Sequence, residues 1–165
     1  MSRPRLVLVG PPGAGKTTIG RLVADRLGVE FRDTDADIEA VAGKSVADIF
    51  YDDGEQRFRA LECDAVRSAL ETHEGVLSLG GGAVLDPDTR QLLQHHEVVL
   101  LQVGLADAAR RVGLSRDRPV LALNPRATLH QLLAERLPFY LQVAGRTVDT
   151  DAKTPQQQVA EEVLA

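Results

Sequence analysis

The sequence predicts an α/β fold, a parallel sheet of five strands wrapped on both faces by helices. Three observations predict it. The runs Leu6-Val7-Leu8-Val9 and Val98 to Val103 are apolar along nearly their whole length, as strands covered on both faces must be. Segments of helical periodicity alternate with such runs down the chain, which is the pattern of right-handed strand–helix–strand crossovers. Between the first strand and the first helix lies Gly10-Pro11-Pro12-Gly13-Ala14-Gly15-Lys16-Thr17, a G-x-x-x-x-G-K-[ST] phosphate-binding loop in its required context.

Each element then has its own signal. After Leu6–Val9, the helix behind the loop carries Ile19, Leu22, Val23 and Leu27 at helical spacing and stops at Gly28, a good residue for the left-handed position past a helix end. Val29 to Arg32 is a short second strand running into Asp33-Thr34-Asp35, and Ile38 to Val41 is a helical segment closed by Gly43. Ser45-Val46-Ala47-Asp48 is a capping box that opens a short helix through Phe50. A longer helix spans Glu55 to Thr72, with Phe58, Leu61, Ala65, Ala69 and Leu70 as its buried stripe. Val76 to Leu79 is the third strand, broken by Gly80-Gly81-Gly82, and Asp86-Pro87 caps a helix toward His95. The fourth strand, Val98–Val103, leads to a helix over Ala106–Val112 and a loop over 113–125 without clean periodicity. Thr128 to Val143 is helical, and Pro138 is expected to end or kink it near Leu137. Thr147 to Asp149 is the last strand, and Thr154-Pro155 caps a closing helix.

The 165 residues suit one domain, with no internal repeat, low-complexity tract or linker. A net charge of −5 argues against broad nucleic-acid binding. No apolar run approaches the roughly 20 residues of a membrane span. Cys63 is the only cysteine, so neither an intrachain disulfide nor a thiolate metal cage is available. The expected setting is the cytoplasm.

Ligands of parallel α/β sheets bind beyond the carboxyl ends of the strands. Three of the five expected strands end there in unusual residues: the phosphate loop, Asp33-Thr34-Asp35, and the glycine triplet. That convergence predicts one site. Backbone N–H groups of the loop, freed of side chains at Gly10, Gly13 and Gly15, can surround a nucleoside triphosphate, with the helix N-terminus adding positive charge. Lys16 reaches the β- and γ-phosphates and Thr17 takes a place on Mg²⁺. Neither later strand supplies the metal-binding aspartate of motor and hydrolytic P-loop proteins, since each runs into glycine. The acids follow the second strand instead. Asp33 and Asp35 would alternate across an extended segment and so face different partners, unless Asp35 merely caps the next helix. Three glycines at a strand end permit a ligand to approach the backbone, or else form a tight turn. Arg59 and Arg136, each taken alone, read first as solvated helix-surface residues, with a place in a site as the lesser alternative.

Together these residues carry a resemblance. The phosphate loop, Asp33-Thr34-Asp35, Phe58-Arg59, Leu79-Gly80-Gly81-Gly82, Arg118-Pro119 and Arg136-Leu137-Pro138-Phe139-Tyr140 stand in the order and approximate spacing of the shikimate kinase family. The match runs over nearly the whole chain. It implies a P-loop kinase fold of the nucleoside-monophosphate-kinase type, five parallel strands in the order 2-3-1-4-5, with a mobile lid at about 113–125 and a substrate-binding region at about 33–62. It implies ATP-dependent phosphorylation of the 3-hydroxyl of shikimate with Mg²⁺. Arg59 and Arg136 would clamp the substrate carboxylate, for which a planar fork is better suited than an ammonium. Asp35 would hold the ring hydroxyls and serve as base, Gly80 to Gly82 would touch the substrate with Gly81 nearest, and Asp33 would sit by the metal's water shell. Gly13, Ala14, Gly15, Lys16, Thr17 and Thr18 would bind the nucleotide, Arg118 would close over it, and Arg111 and Lys153 would flank the adenine. Lys153 stands where the family often has arginine. Glu62, one turn after Arg59, would hold that guanidinium in place. The expected partners are ATP and shikimate, with no nucleic acid or membrane, and the expected state is a monomer. The competing readings are another small-metabolite kinase such as gluconate kinase, and a nucleotide-binding regulatory protein without transfer activity.

Overall fold

The wholly buried strand β1 (Leu6–Val9) is the axis of the sheet. Its neighbours are β3 (Val76–Ser78) and β4 (Val98–Val103), and β2 (Phe31–Asp33) and β5 (Arg146–Thr150) form the edges, giving five parallel strands in the order 2-3-1-4-5. The computed structural model describes residues 3–11, 14–103, 125–150 and 156–165. Side chains of β1 alternate across the sheet. Leu6 and Leu8 face one core with helices α1 (Lys16–Leu27) and α7 (Gln156–Leu164), while Val7 and Val9 face a second core. That second core is covered by α4 (Glu55–Thr72), α5 (Pro87–Leu93) and α6 (Pro125–Val143). Each fully buried Val or Leu contributes about 1.5–3 kcal/mol, so two-sided cover fixes the register of the central strands. A third, smaller core of Ile38, Val46, Ile49 and Phe58 joins α2 (Thr34–Ala42) and α3 (Val46–Asp53) to α4. It props these helices beside the ends of β2 and β3.

The helix boundaries follow the caps. Gly28 and Gly43 take the left-handed conformation past α1 and α2. Ser45 Oγ accepts from Asp48 N–H at 3.1 Å, and Asp86 Oδ2 accepts from Thr89 N–H at 2.8 Å with Pro87 in the first helical turn. Three expectations are corrected. Asp33 and Asp35 do not share an extended segment: Asp33 is the N-cap of α2, its Oδ1 accepting from Asp35 N–H at 2.9 Å, so the helix begins at Thr34 and Asp35 lies in its first turn. Of the two outcomes expected at Pro138, an end to the helix is excluded, because the helix runs through to Val143. Pro138 lies on the exposed side, where water can take the carbonyl that lacks its usual N–H partner. The buried residues of α4 include Glu62 and Val66 beside Phe58, Ala69 and Leu70, while Leu61 and Ala65 are only partly covered. The helix expected over Ala106–Val112, residues 113–124 of the expected lid and the cap at Thr154-Pro155 lie outside the described residues, and the last residue of the expected lid, Pro125, opens α6.

Candidate active site

The phosphate loop leaves β1 at Gly10, which packs so closely on β4 that a methyl group there would collide with the Leu101 carbonyl oxygen. It re-enters a helix at Gly15, whose φ of 88° is the left-handed conformation that glycine adopts without penalty. Gly15 thereby turns the first N–H groups of α1 outward as a ready anion site. Lys16 Nζ donates to the carbonyls of Gly10 at 2.7 Å and Pro11 at 3.1 Å, lying across the mouth of the loop. Thr150, at the end of β5, donates its hydroxyl to the Ala14 carbonyl at 2.9 Å and so ties the loop to the far edge of the sheet.

Asp33 connects this loop to the second half of the site. Its Oδ1 accepts from Asp35 N–H, and its Oδ2 lies 3.4 Å from Thr17 Oγ1. Asp33 therefore faces the phosphate loop and Asp35 faces the glycine triplet. The two carboxylates are separated as expected, although by a helix cap instead of strand alternation. A methyl group on Gly80 would lie 2.7 Å from Asp35 Oδ1 and 3.0 Å from Glu62 Oε2. A methyl on Gly82 would lie 2.5 Å from Arg59 Nη2 and 2.7 Å from its Cζ. Two of the three glycines are thus needed for close approach, and the charged groups that approach them are Asp35, Arg59 and Glu62.

Arg59 Nη1 donates to Glu62 Oε1 at 2.8 Å, and its guanidinium lies over the Phe58 ring, 5.2 Å from the centroid. Glu62 Oε2 is buried with no hydrogen-bond partner among the described residues. Burial pushes the Glu62 carboxyl above its ordinary range; Arg59 and Arg136 pull it back and the Asp35 charge adds to the rise. Arg136, on α6, is only 8% exposed. Arg59, Glu62, Asp35 and Arg136 thus form one cluster of two cations and two acids against the buried triplet. Arg90 fastens α6 to the turn Ala83–Leu85 that follows the triplet: it stacks on Phe139 at 4.3 Å and donates to the carbonyls of Val84 at 2.8 Å and Leu85 at 3.0 Å.

Of the residues expected in the site, Ala14, Gly15, Lys16, Thr17 and Thr18 stand at the phosphate loop, Asp33 ends β2, and Asp35, Arg59, Gly80, Gly81, Gly82 and Arg136 gather around the ends of β2 and β3. Gly13, Arg111, Arg118 and Lys153 lie outside the described residues. Three contacts had not been foreseen. Thr34, between the aspartates, accepts from Gly80 N–H at 3.3 Å. Tyr140 donates to the Gly81 carbonyl, and its spacing of four from Arg136 was the available signal. Thr150 carried no signal at all, because its partner in the loop is brought to it only by the sheet order.

A parallel 2-3-1-4-5 sheet with a phosphate loop after β1 and a second cluster of charged side chains at the ends of β2 and β3 is the arrangement of a small P-loop kinase. The family model for shikimate kinase matches residues 12–165. A shikimate kinase of Salinispora arenicola is 59% identical over 162 residues, covering 98% of this chain and 96% of that protein. The structure of a shikimate kinase from Acinetobacter baumannii in complex with shikimate superposes with a TM-score of 0.93 at 36% identity, covering 99% of this chain and 92% of that one. The chain belongs to the shikimate kinase family. A gluconokinase of Sinorhizobium meliloti shares the fold at a TM-score of 0.58 and 20% identity, covering 98% of this chain and 90% of that one.

Proposed function

We propose that this protein transfers the γ-phosphoryl group of ATP to the 3-hydroxyl of shikimate, giving shikimate 3-phosphate and ADP, a step toward chorismate and the aromatic amino acids. The observation that carries the proposal is the cluster of Asp35, Arg59, Glu62 and Arg136 against the glycine triplet, across Asp33 from the phosphate loop. A polyhydroxylated carboxylate needs cationic forks at one end and a hydrogen-bonding acid at the other, and this cluster offers both. Arg59 and Arg136 take the carboxylate. Glu62, buried and bonded to Arg59, holds that fork in place. Asp35 accepts hydrogen bonds from the ring hydroxyls, and its carboxylate receives the 3-hydroxyl proton as the oxygen attacks the γ-phosphorus.

On the nucleotide side, the N-terminus of α1 and residues Gly13 to Thr18 hold the phosphates, and Lys16 exchanges its loop carbonyls for phosphate oxygens. Thr17 and Asp33 present a hydroxyl and a carboxylate 3.4 Å apart, hard oxygen donors of the kind Mg²⁺ prefers while keeping most of its waters. These two residues would hold Mg²⁺ directly or through water, and when bound it would supply neutralisation of phosphate charge. Arg118 steadies the transferring group, and Arg111 and Lys153 flank the adenine. The whole chain acts as one domain and a monomer in the cytoplasm. Among the described residues no helix is long and apolar enough to cross a membrane.

Calorimetry on Arg59→Lys tests the carboxylate clamp. A lysine keeps the charge and loses the two-pronged fork, so shikimate affinity falls by about tenfold or more while ATP affinity is unchanged. Equal losses for both ligands would make Arg59 a structural residue and remove the clamp.

A further inference from the structure

The glycine triplet is the part of the site built from backbone, and its peptide groups are held individually. Gly80 N–H donates to Thr34 Oγ1 at 3.3 Å. The carbonyls of Gly80 and Gly82 accept from Ala83 and Leu85 N–H, each at 3.1 Å. The carbonyl between them, that of Gly81, accepts from the Tyr140 hydroxyl at 2.6 Å. Tyr140 is 1% exposed and reaches the triplet from α6, one helical turn beyond Arg136. No cis peptide occurs among the described residues, and in a trans peptide the C=O and N–H point in opposite directions. A hydroxyl that draws the Gly81 carbonyl toward the α6 core therefore turns the Gly82 N–H the other way. Gly82 is also the glycine against which the Arg59 guanidinium lies.

We infer that Tyr140 is a positioning residue for the reaction: it fixes the Gly81–Gly82 peptide so that the Gly82 N–H donates to the substrate carboxylate held by Arg59 and Arg136. The inference rests on the functional reading above. The same helix then delivers two parts of the carboxylate site, a guanidinium directly from Arg136 and a backbone donor indirectly through Tyr140. Released from the hydroxyl, the Gly81–Gly82 peptide can rotate, because glycine on both sides imposes almost no barrier to other φ and ψ values. Tyr140 would matter to binding of the acid and leave the nucleotide alone.

Steady-state kinetics on Tyr140→Phe test this, with Val143→Ala as the control. Val143 lies on the same helix in the same core at 6% exposure, while the triplet's carbonyls are taken by Ala83, Tyr140 and Leu85. In Tyr140→Phe the KM for shikimate should rise about tenfold with the KM for ATP unchanged and kcat within about threefold, the pattern of lost uniform binding. Val143→Ala should lower the melting temperature and leave the shikimate KM as in the wild type. An unchanged shikimate KM in Tyr140→Phe, or an equal rise in Val143→Ala, overturns the inference while wild-type turnover of shikimate keeps the functional reading intact. Absence of shikimate-dependent ADP release by the wild type overturns both. Should Tyr140→Phe fail to fold cooperatively, the amide proton of Gly82 in the wild type decides. It should move downfield as shikimate is titrated in, and an unmoved resonance overturns the inference.

Discussion

Asp35→Asn is expected to lower kcat by about 10²–10⁴-fold, the usual worth of a general base, while ATP binding stays at the wild-type level. Asparagine has the size and hydrogen-bonding reach of aspartate, so the acceptor hydroxyl can still be held, but an amide cannot take its proton. The fold should tolerate the change. Asp35 lies in the first turn of α2, where a negative charge contributes only about 0.3–1 kcal/mol through the helix dipole. The cap that starts the helix is made by the Asp33 carboxylate with the backbone of residue 35, which the substitution leaves in place. Single-turnover measurements with saturating ATP and shikimate check the prediction. Turnover within a factor of two of the wild type would exclude Asp35 as the base.

Gly82→Ala should separate binding from stability more sharply than any substitution of a charged residue. The backbone at Gly82 has φ −101° and ψ 3°, a conformation open to alanine, so the chain itself is not strained. The added methyl meets the end of Arg59, 2.5 Å from Nη2 and 2.7 Å from Cζ. Arg59 is a long side chain and can swing aside, so the melting temperature should move little. Its guanidinium then leaves the carboxylate position. A hydrogen bond to a charged group is worth about 1.5–3 kcal/mol, so shikimate affinity should fall roughly 10- to 100-fold with ATP affinity unchanged. Calorimetry with each ligand checks this. Wild-type affinity for shikimate would mean that the carboxylate does not bind where Arg59 now lies.

The sheet was legible in the sequence because its central strands are buried on both faces and therefore read as apolar runs, and because caps such as Asp86-Pro87 and stops such as Gly28 act over a few residues. The phosphate loop was legible for the same reason: all its groups are contiguous. Errors arose where one local rule was opposed by another. Pro138 breaks helices in isolation, yet Arg136 and Tyr140, on either side of it, are both buried, and their packing carries α6 through it. The aspartate pair looked extended because it follows a strand, whereas the Asp33 side chain captures an N–H two residues on and starts a helix at once. Resemblance brought Asp35, Arg59 and Arg136 forward as one set, though periodicity alone left each arginine as a surface residue. The contact of Thr150 with Ala14 depends on sheet order and joins residues 136 positions apart, and no local pattern encodes it.

The measurement that bears most directly on the account is ADP release in a coupled assay with Mg-ATP, comparing shikimate, gluconate, quinate and no acceptor. Turnover is expected with shikimate, and little above the acceptor-free rate with gluconate or quinate. Turnover with gluconate in preference to shikimate, or ATP binding with no turnover on any acceptor, would contradict it.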